Sequence, residues 1–487
     1  MLETSGRVLL VGGTDPIGAA GLQMDLKVLA ALGGEGFCVV SCVTSQNSDG
    51  FYHSELVSPS VFKSQLDALK GEYQASAIKI GLLYDPVQIK ILADYIRETG
   101  FLGPVIWDPV MGATSSEGLL WGDKTFEAYR EYLWPYITLV TPNSDELAAM
   151  LAGDFLDLGA AFAKEYAKNV LVKGGHSPRK SQDRLIMSEP WMDLQISSLE
   201  KPYNYRGTGC FLASSAAYYM SLGYLVQDAV ILGKASLDKA MLGAKKLGPS
   251  FVLKPSFLTP QDELPKVLPS QFGRLPIGAF APMEEEVGVY VIVSCFDELQ
   301  KLTGSLVQTV QIRIKDEGLS LEDKRAEYQK CISWAKENNC RLFINDDWQS
   351  AIELGCYGVH LGQEDLMTAD LEKINQAGLR LGLSTHCYYE ALIAHSIKPS
   401  YMALGPIFET TCKSMAFGPL GIDKAGVWAK TFAGSKIVAI GGLKPEYIAP
   451  LKKKGVSGVA VISDVLQDRD PLERARFWVS SWQKAHR

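Results

Sequence analysis

The chain has 487 residues, of which 47% are hydrophobic and 21% are charged. These fractions are typical of folded globular proteins and exclude disordered, collagen-like and coiled-coil chains. The 48 Lys and Arg residues against 55 Asp and Glu residues give a net charge of -7, so the composition provides no basic surface for nucleic acid or anionic lipid. Any anionic ligand must therefore be held by a local group of residues.

Cysteine content and hydropathy indicate the cellular compartment. The nine cysteines include no CxxC pair, which argues against a secreted disulfide framework and against a structural zinc site. No uninterrupted run of about 18 apolar residues occurs, so we expect neither a signal peptide nor a membrane span. The sequence thus predicts a cytoplasmic protein without nucleic-acid or membrane partners, and it leaves a homo-oligomer open.

Proline density predicts the boundary between two domains. Six of the 23 prolines lie between residues 251 and 286, where neither a helical nor a strand periodicity persists. We therefore expect a first domain over 1–250, a Pro-rich linker over 251–286 and a second domain over 287–487.

Short apolar runs alternate with helix-like segments throughout the first domain. This alternation predicts a parallel sheet with helices on both faces, which is a three-layer α/β/α arrangement. The runs are RVLLVGG from Arg7, FCVVSCVTSQN from Phe37, IKIGLL from Ile78, PVIWDPVM from Pro104, ITLVTPN from Ile137 and NVLVKGG from Asn169.

The second domain contains eight such runs, and seven of them end in a polar or glycine cluster. Eight parallel strands with functional groups at their carboxyl ends predict a (β/α)8 TIM barrel, a fold whose active sites collect on that face. The runs begin at Gly288, Val307, Arg341, Gly358, Arg380, Tyr401, Lys436 and Gly458.

The segment GTGC, formed by Gly207, Thr208, Gly209 and Cys210, precedes a helical stretch rich in small residues. Glycines allow a tight turn whose amide groups converge, and the helix start adds its positive end. The segment therefore predicts an anion hole for a transferring phosphoryl group. A thiol at a helix start is expected to have a lowered pKa, which would let Cys210 take a proton from an attacking hydroxyl group. The alternative is a buried, inert cysteine.

Three further segments of the first domain place polar or flexible residues at strand ends. GGTDPIGAAG, from Gly12 to Gly21, is a glycine-rich turn that can approach a ligand closely. Asn143 and Glu146 have an NxxE spacing suited to a water-bound magnesium ion, and Lys173 ends another strand. Each of them taken alone is better explained as a solvated loop residue.

Together these segments resemble the hydroxymethylpyrimidine and phosphomethylpyrimidine kinases of thiamine synthesis, within the ribokinase-like superfamily. The matching order is GTDPIGAAGLQMDLK, SQNSDG, IKIGLL, DPVMGA, TPNSDE, LVKGGH and GTGC, over about residues 7 to 250. The resemblance implies ATP as co-substrate and Cys210 as the base, where related sugar kinases have an aspartate. It also implies two sets of ligand contacts. These are the pyrimidine contacts Ala20, Gln46 and Val110, with Gln46 reading the pyrimidine edge, and the nucleotide and magnesium contacts Asn143, Glu146, Lys173 and Thr208.

Two positions depart from the family pattern. This chain has PIGAAG from Pro16 where the family usually has PSGGAG, and Arg206 stands where a histidine usually precedes GTGC. Arg206 could add a cation beside the phosphates. A pyridoxal-type kinase, which shares the fold, is the alternative for this domain.

Cationic and acidic side chains meet at the expected mouth of the barrel. Arg313 and Lys315 are two residues apart on one strand and therefore point to the same side. The segments NDD, from 345, and QED, from 363, end the next two strands with oxygen ligands suited to magnesium, and Lys413 follows the sixth strand. This combination predicts a site for a magnesium diphosphate.

A second anion site is expected at the same face of the barrel. Gly441 and Gly442, followed after the eighth strand by Ile462 and Ser463, fit the phosphate cradle that barrels often build after strands seven and eight. Two anionic groups are therefore expected to bind at once. For any single residue of this set, a solvated strand end is the alternative.

The segments QIRIKD, RLFINDDW, YGVHLGQEDL, RLGLSTH, ALGPIF and VAIGG resemble the signatures of thiamine-phosphate synthase, over about residues 288 to 487. Cys412 replaces a threonine of that family's TxTK stretch, which removes one hydroxyl contact. Thiazole tautomerase, a sister family with the same barrel, is the alternative. The resemblance implies Asp346 and Asp365 as magnesium ligands, Arg313, Lys315, Asn345, Ser384 and Lys413 as diphosphate ligands, Gln311 and His360 as pyrimidine contacts, Thr410 as a group near the thiazole, and Gly442, Ile462 and Ser463 as the thiazole-phosphate cradle.

The two resemblances imply consecutive reactions in one chain. The first domain would transfer phosphoryl groups from ATP to the aminopyrimidine alcohol and then to its monophosphate, with Cys210, Gly207 and Gly209 as catalytic groups. The second would bind the diphosphate product with magnesium, release diphosphate and trap the resulting cation with thiazole phosphate, with Arg313 and Lys413 as catalytic groups. Positioning and charge neutralisation dominate both steps. The remaining alternative makes one domain a non-catalytic ligand-binding module.

Overall fold

The computed structural model describes residues 6–47, 50–111, 122–151, 157–174, 182–188, 192–197, 199, 203–269, 278–315, 318–409 and 418–485. It divides the chain into two compact units, Met1–Gly273 and Arg274–Arg487. Within the described ranges, no helix combines the length and the apolar character needed to cross a membrane. Three residues discussed above, Thr410, Cys412 and Lys413, lie outside the described residues.

The first unit alternates strands and helices, as its apolar runs predict. Its strands are β1 (Arg7–Gly12), β2 (Glu35–Val40), β3 (Cys42–Gln46), β4 (Phe51–Leu56), β5 (Ala77–Ile80), β6 (Val105–Trp107), β7 (Ile137–Val140), β8 (Asn169–Val172), β9 (Gln182–Met187), β10 (Met192–Ser197), β11 (Tyr205–Arg206), β12 (Lys245–Leu247), β13 (Ser250–Val252) and β14 (Val267–Pro269). Its helices are α1 (Gly21–Leu32), α2 (Pro59–Leu69), α3 (Pro86–Thr99), α4 (Asp123–Ala128), α5 (Ser144–Met150), α6 (Leu158–Tyr166), α7 (Thr208–Ser221) and α8 (Val226–Leu242).

The main sheet of this unit has the order β14-β10-β9-β8-β7-β6-β5-β1-β2 in the described residues. The strands from β2 to β8 in this order are parallel, which confirms the predicted parallel sheet. The antiparallel edge formed by β9, β10 and β14 is not predicted, because polar residues interrupt the apolar pattern of β9 and β10. The run from Phe37 divides at Ser41, so that β3 leaves the main sheet and pairs with β4.

Helices cover both faces of the main sheet. Leu9 and Val11 of β1 pack in one buried cluster with Phe62 of α2 and Leu92 of α3. On the other face, α7 contacts β1 and β5 and packs against α1 and α8. Because successive side chains of a strand point to opposite faces, β1 contributes to both layers of core. The predicted three-layer arrangement is confirmed.

The segment 251–286, predicted to be a linker, contains two strands of the first unit. Phe251 of β13 pairs with Tyr205 of β11, and Pro269 of β14 pairs with Leu194 of β10. A proline is tolerated in β14 because this strand lies at the edge of the sheet, where one side needs no hydrogen-bond donor. A three-residue strand is too short to show a periodicity, which is why the sequence gives no sign of it.

The second unit is a closed barrel of parallel strands in chain order, β15 to β22, and the predicted (β/α)8 fold is confirmed. Its strands are β15 (Gly288–Val293), β16 (Thr309–Ile312), β17 (Arg341–Asn345), β18 (Gly358–Leu361), β19 (Arg380–Thr385), β20 (Tyr401–Leu404), β21 (Ile437–Ile440) and β22 (Gly458–Val461). Its helices are α9 (Phe296–Gln300), α10 (Leu321–Glu337), α11 (Trp348–Glu353), α12 (Gln363–Leu366), α13 (Leu371–Gln376), α14 (Tyr388–Ile397), α15 (Gly421–Thr431), α16 (Ile448–Lys453), α17 (Ser463–Leu466) and α18 (Pro471–Lys484).

Large side chains fill the interior of the barrel. Tyr290, Phe343 and Tyr401 are nearly or completely buried and belong to one apolar cluster. The ring of Tyr401 occupies the space beside Gly382, where a Cβ would overlap it. The barrel centre is therefore packed, and ligands can be held at its mouth.

Two candidate active sites

The GTGC segment forms the start of a helix, as the sequence predicts. β11 ends at Arg206, Gly207 has a φ of 76°, and α7 begins at Thr208. A Cβ at Gly207 would overlap the carbonyl oxygen of Ala19 and would lie 3.5 Å from the Cα of Ala20. The loop therefore packs directly on the glycine-rich turn, and the structure brings Ala20 to the expected anion hole.

Asp15 shapes this glycine-rich turn, although nothing in the sequence singles it out. Its carboxylate is 1% exposed and accepts hydrogen bonds from the amides of Ile17, Ala19 and Ala20 at 3.2, 2.8 and 2.7 Å. Hydrogen bonds to a charged acceptor are about twice as strong as neutral ones. Asp15 therefore fixes the surface on which Gly207 packs.

Lys173 and Asp108 border the anion loop. The Nζ of Lys173 lies 2.8 Å from Oδ1 of Asp108 and 3.2 Å from the position that a Cβ on Gly209 would occupy. Burial raises the pKa of Asp108, but Lys173 and Lys79 outweigh this effect and lower it below its usual value. The loop thus faces an ionised carboxylate and an ammonium group, of which the sequence predicted only the second.

The NxxE motif is a helix cap in this structure. The side-chain oxygen of Asn143 accepts from the amides of Asp145 and Glu146 at 2.9 and 2.8 Å, and Glu146 accepts from the amide of Asn143 at 2.7 Å. This reciprocal pair is a capping box, which satisfies free amides at the start of α5. Glu146 also lies 3.7 Å from Lys173, so it stays close to the anion loop.

The expectation that the helix start lowers the pKa of Cys210 is wrong. Burial raises the pKa of its thiol to about 11, and the charges of Asp25 and Asp108 add to this rise, whereas Lys79 opposes it. The lost hydration of the thiolate outweighs the attraction of the nearby ammonium group. Cys210 is therefore a neutral thiol at pH 7 in the free enzyme.

A buried ion pair lies behind the anion loop, and the sequence analysis missed it. Lys79 and Asp25 are each 1% exposed in their side chains and lie 2.8 Å apart, and the hydroxyl of Ser214 donates to Asp25 at 2.7 Å. Burial lowers the pKa of Lys79, but Asp25, Cys210 and Asp108 raise it above its usual value. Lys79 is thus a second permanent cation near Cys210.

Gln46 and Val110, the two other predicted pyrimidine contacts, are both half-buried. The amide of Val110 donates to the carbonyl oxygen of Asp108 at 2.8 Å, and the side chain of Asp108 borders the anion loop. The guanidinium of Arg206 donates to Oε1 of Gln46 and to the carbonyl oxygen of Asn47. Arg206 therefore contacts the predicted pyrimidine reader, whereas the sequence suggested a contact with phosphate.

In the barrel, Asp346 and Asp365 meet at the carboxyl ends of neighbouring strands. The amide of Gly362 donates to Oδ1 of Asp346 at 3.2 Å, and a Cβ on Gly362 would lie 3.1 Å from Oδ2 of Asp365. Burial and the charge of Asp365 raise the pKa of Asp346 to about 6. Two carboxylates this close repel each other unless a cation is bound, and hard oxygen ligands suit a divalent ion. The residues present therefore fit magnesium.

Arg313 and Lys315 follow β16 at the same mouth. Arg313 is half-buried and Lys315 is exposed, and neither side chain makes a hydrogen bond or ion pair with another described residue. Arg313 is close enough to Asp346 to oppose the rise of its pKa. An arginine that lies near paired carboxylates and has no partner among the described residues fits an anionic ligand that carries its own divalent ion.

His360 lies inside the barrel between two hydroxyl groups. Its Nδ1 lies 2.8 Å from the hydroxyl of Tyr401, and its Nε2 lies 2.9 Å from the hydroxyl of Ser384. Burial lowers the pKa of His360 to about 3, and the charge of Arg313 adds to this effect. The ring is therefore neutral at pH 7, with one donor and one acceptor nitrogen.

The hydrogen bonds continue from Tyr401 to the magnesium side. The hydroxyl of Tyr401 lies 2.8 Å from that of Tyr290, which donates to Oε1 of Gln311 at 3.1 Å. Nε2 of Gln311 donates to Asn345 at 2.6 Å, and Asn345 donates to Asp346. The structure thus links the predicted pyrimidine contacts to a predicted magnesium ligand. The two tyrosines were missed, and only their places in apolar strand runs signal them.

The predicted phosphate cradle lies after two neighbouring strands. Gly442 follows β21 with a φ of 61°, and a Cβ there would overlap the carbonyl oxygen of Glu409. Ile462 precedes α17, which begins at Ser463 after β22. Because β21 pairs with β22, the structure brings Gly442, Ile462 and Ser463 to the same edge of the barrel.

Comparison with known proteins shows which families the two domains match. The phosphomethylpyrimidine kinase model matches residues 15–253 and the thiamine monophosphate synthase model matches residues 291–465. A thiamine-phosphate synthase of Photorhabdus laumondii is 42% identical over 196 residues, which are 40% of this chain and 90% of that protein. The chain belongs to both families. It is an enzyme that joins a phosphomethylpyrimidine kinase to a thiamine-phosphate synthase.

Two of the solved structures that are similar to this chain are kinases. The phosphomethylpyrimidine kinase of Clostridium difficile is 28% identical, with a TM-score of 0.42, and the match covers 48% of this chain and 99% of that one. The pyridoxal kinase of Staphylococcus aureus in complex with pyridoxal is 24% identical, with a TM-score of 0.47, over 54% of this chain and 98% of that one. The matched family models favour phosphomethylpyrimidine kinase and thiamine-phosphate synthase over the pyridoxal-type kinase and thiazole tautomerase considered as alternatives.

Proposed function

We propose that the two domains catalyse consecutive steps. The first uses ATP to phosphorylate 4-amino-5-hydroxymethyl-2-methylpyrimidine and then its monophosphate. The second couples the resulting pyrimidine diphosphate to thiazole phosphate and releases diphosphate. We place the kinase activity in the first compact unit, Met1–Gly273, and the synthase activity in the second, Arg274–Arg487. The described cysteines are free, which supports a cytoplasmic location because a reducing compartment keeps thiols unpaired.

In the kinase domain, the anion loop would hold the transferring phosphoryl group. The first amides of α7, which begins at Thr208, have no partner inside the helix, and Lys173 lies beside Gly209 as a balancing cation. Gln46 and Ala20 border this loop and would hold the pyrimidine. ATP would bind on the side of Lys173 and Glu146, which lie 3.7 Å apart.

In the synthase domain, Asp346 and Asp365 would hold Mg²⁺, which when bound supplies positive charge to the departing diphosphate. Among the described residues, no group of three or more His, Cys, Asp or Glu side chains could hold a metal. Two carboxylates are enough, because Mg²⁺ is usually held by one or two carboxylates together with water and substrate phosphates. Arg313 and Lys315 would bind the remaining phosphate oxygens, and the neutral His360 would orient the ring.

The observation that carries the proposal is the charge arrangement at the barrel mouth, where two opposed carboxylates lie near Arg313, which has no partner among the described residues. To test it, the purified chain is given the pyrimidine diphosphate and thiazole phosphate with Mg²⁺ or with EDTA. Thiamine phosphate is expected only with Mg²⁺. In a second reaction, ATP, Mg²⁺ and hydroxymethylpyrimidine should yield the mono- and diphosphates. A missing product in either reaction refutes the activity proposed for that domain.

Cys210 provides a separate prediction about the kinase domain. Because burial raises the pKa of its thiol to about 11, Cys210 is expected to react with iodoacetamide at pH 7.5 about 100-fold more slowly than an unperturbed cysteine. Mass spectrometry of the Cys210 peptide measures this rate. Alkylation as fast as that of a free cysteine peptide contradicts the raised pKa.

Replacing Cys210 tests its part in phosphoryl transfer. A thiol with a pKa of about 11 acts as a base only through the small fraction that is ionised at pH 7. Cys210→Ala removes that base and is expected to bind hydroxymethylpyrimidine normally in a titration and to lower kcat by about 100-fold or more. Cys210→Ser, which keeps a proton-carrying group, should retain more activity. Unchanged turnover in Cys210→Ala removes Cys210 from the reaction.

A further inference from the structure

Arg206 connects two distant parts of the kinase domain. It lies on β11, immediately before the anion loop, and its Nη2 donates to Oε1 of Gln46 at 3.0 Å, across 160 residues of sequence. Its Nη1 donates to the carbonyl oxygen of Asn47. The guanidinium is thus directed at the end of β3.

The partners of Gln46 determine which way its amide points. Nε2 of Gln46 donates to Oγ1 of Thr44 at 3.0 Å, and that hydroxyl donates its single hydrogen to the carbonyl oxygen of Thr14 at 2.6 Å. Thr44 can therefore only accept from Gln46. Arg206 can only donate, because a guanidinium has no acceptor. Both hydrogen bonds therefore form only when Oε1 of Gln46 faces Arg206 and Nε2 faces Thr44. An amide rotated by 180° would lose both of them.

The fixed amide keeps hydrogen-bonding capacity for a ligand. Arg206 uses one of the two lone pairs of Oε1, and Thr44 uses one of the two N–H groups of Nε2. One oxygen lone pair and one N–H donor therefore remain. Gln46 is half-buried rather than enclosed. A glutamine amide with these groups can pair with a ring nitrogen and a nearby exocyclic amino group, as it does with N7 and N6 of adenine. A 4-aminopyrimidine has such an edge, whereas the ring nitrogen of pyridoxal adjoins no amino group.

We propose that Arg206 is a positioning residue that holds the Gln46 amide in the orientation which reads the ring-nitrogen and amino edge of an aminopyrimidine. It thereby favours aminopyrimidine alcohols over pyridine alcohols such as pyridoxal. This inference rests on the pyrimidine kinase activity proposed above. A histidine at this position can either donate or accept, so it would leave the amide orientation less determined than an arginine does.

The test compares Arg206→Leu with the parent chain on two substrates. For hydroxymethylpyrimidine, KM is expected to rise about 10- to 100-fold with kcat within about threefold, since one bidentate pair is worth this much binding. For pyridoxal, KM should change less than about threefold, because that ring cannot use the pair. Arg206→Lys, which keeps one charged donor, should recover part of the loss.

Controls separate positioning from a general structural role. Arg97→Leu makes the same substitution at an exposed arginine that pairs with Asp94 on α3, and it should leave both KM values unchanged. If Arg206→Leu is poorly folded by circular dichroism, the comparison is made with Arg206→Lys, whose KM for the pyrimidine should exceed that of the parent chain.

Four outcomes overturn the inference, and one of them also overturns the proposed function. A fall in kcat without a change in KM would place Arg206 at the phosphates. Equal loss on both substrates would show a structural role, and an unchanged KM for the pyrimidine in both variants would show no role. These three refute only the inference. A parent chain that phosphorylates pyridoxal but not hydroxymethylpyrimidine refutes the proposed kinase activity as well.

Discussion

Replacing Asp365 with alanine is expected to lower thiamine phosphate formation by more than about 100-fold, while ATP-dependent phosphorylation of hydroxymethylpyrimidine stays unchanged. Replacing a residue that only hydrogen-bonds to a metal ligand already lowers metal affinity or activity about 10- to 100-fold. Asp365 is one of the two carboxylates that fit the ion directly. The kinase activity should persist because the two sites lie in separate compact units. Each half-reaction is assayed with its own supplied substrates.

The neighbouring Glu364 offers a matched control. It is exposed, and its side chain makes no hydrogen bond or ion pair with another described residue. Glu364→Ala removes the same charge from the same helix and should keep coupling within about twofold of the parent chain, as surface substitutions usually do. Loss of both activities in Asp365→Ala would contradict the independence of the two sites, and normal coupling in that variant would contradict its role in metal binding.

Replacing Lys79 with methionine is expected to destabilise the kinase domain by about 3–5 kcal/mol, because it leaves the Asp25 carboxylate buried without its partner. Lys79 and Asp25 are each 1% exposed in their side chains, so water cannot replace the lost cation. Hydrogen exchange of the β1 and β5 amides measures the change within this domain. The double variant Lys79→Met with Asp25→Asn removes both charges and should recover at least half of the loss.

An exposed lysine provides the comparison for this effect. Lys63 pairs with Asp67 one turn away on α2, with 60% of its side chain exposed. Lys63→Met is expected to change the free energy of unfolding by less than about 0.5 kcal/mol, as exposed helical pairs do. Similar changes in hydrogen exchange for Lys63→Met and Lys79→Met would contradict the importance of the buried pair.

The barrel was predictable because seven of its eight strand runs carry the same local signal. Apolar runs that end in glycine or polar residues mark the carboxyl ends of parallel strands, and their order alone brings Asp346, Asp365 and Arg313 to one mouth. The hydrogen bonds of Tyr290 and Tyr401 could not be predicted, because they depend on which interior side chains meet across the barrel. That information lies in the closed geometry and not in any single run.

In the kinase domain, the sequence predicted the position of the anion loop but not the buried charges around it or the pKa of Cys210. Lys79 lies between isoleucines in a strand run, and nothing local shows that Asp25 is buried beside it. The pKa of Cys210 depends on desolvation, which is a property of the packed surroundings. The NxxE spacing of Asn143 and Glu146 suits a magnesium site and a capping box alike, so the spacing alone did not predict the helix cap that the structure shows.

The most direct test of the whole account is a single incubation of the chain with ATP, Mg²⁺, hydroxymethylpyrimidine and thiazole phosphate, analysed by mass spectrometry. Thiamine phosphate should accumulate, and it should be absent when any one of the four components is left out. Accumulation of the pyrimidine diphosphate without thiamine phosphate would contradict the proposed synthase site. Absence of any phosphorylated pyrimidine would contradict the proposed kinase site, and with it the claim that one chain makes and consumes the same diphosphate.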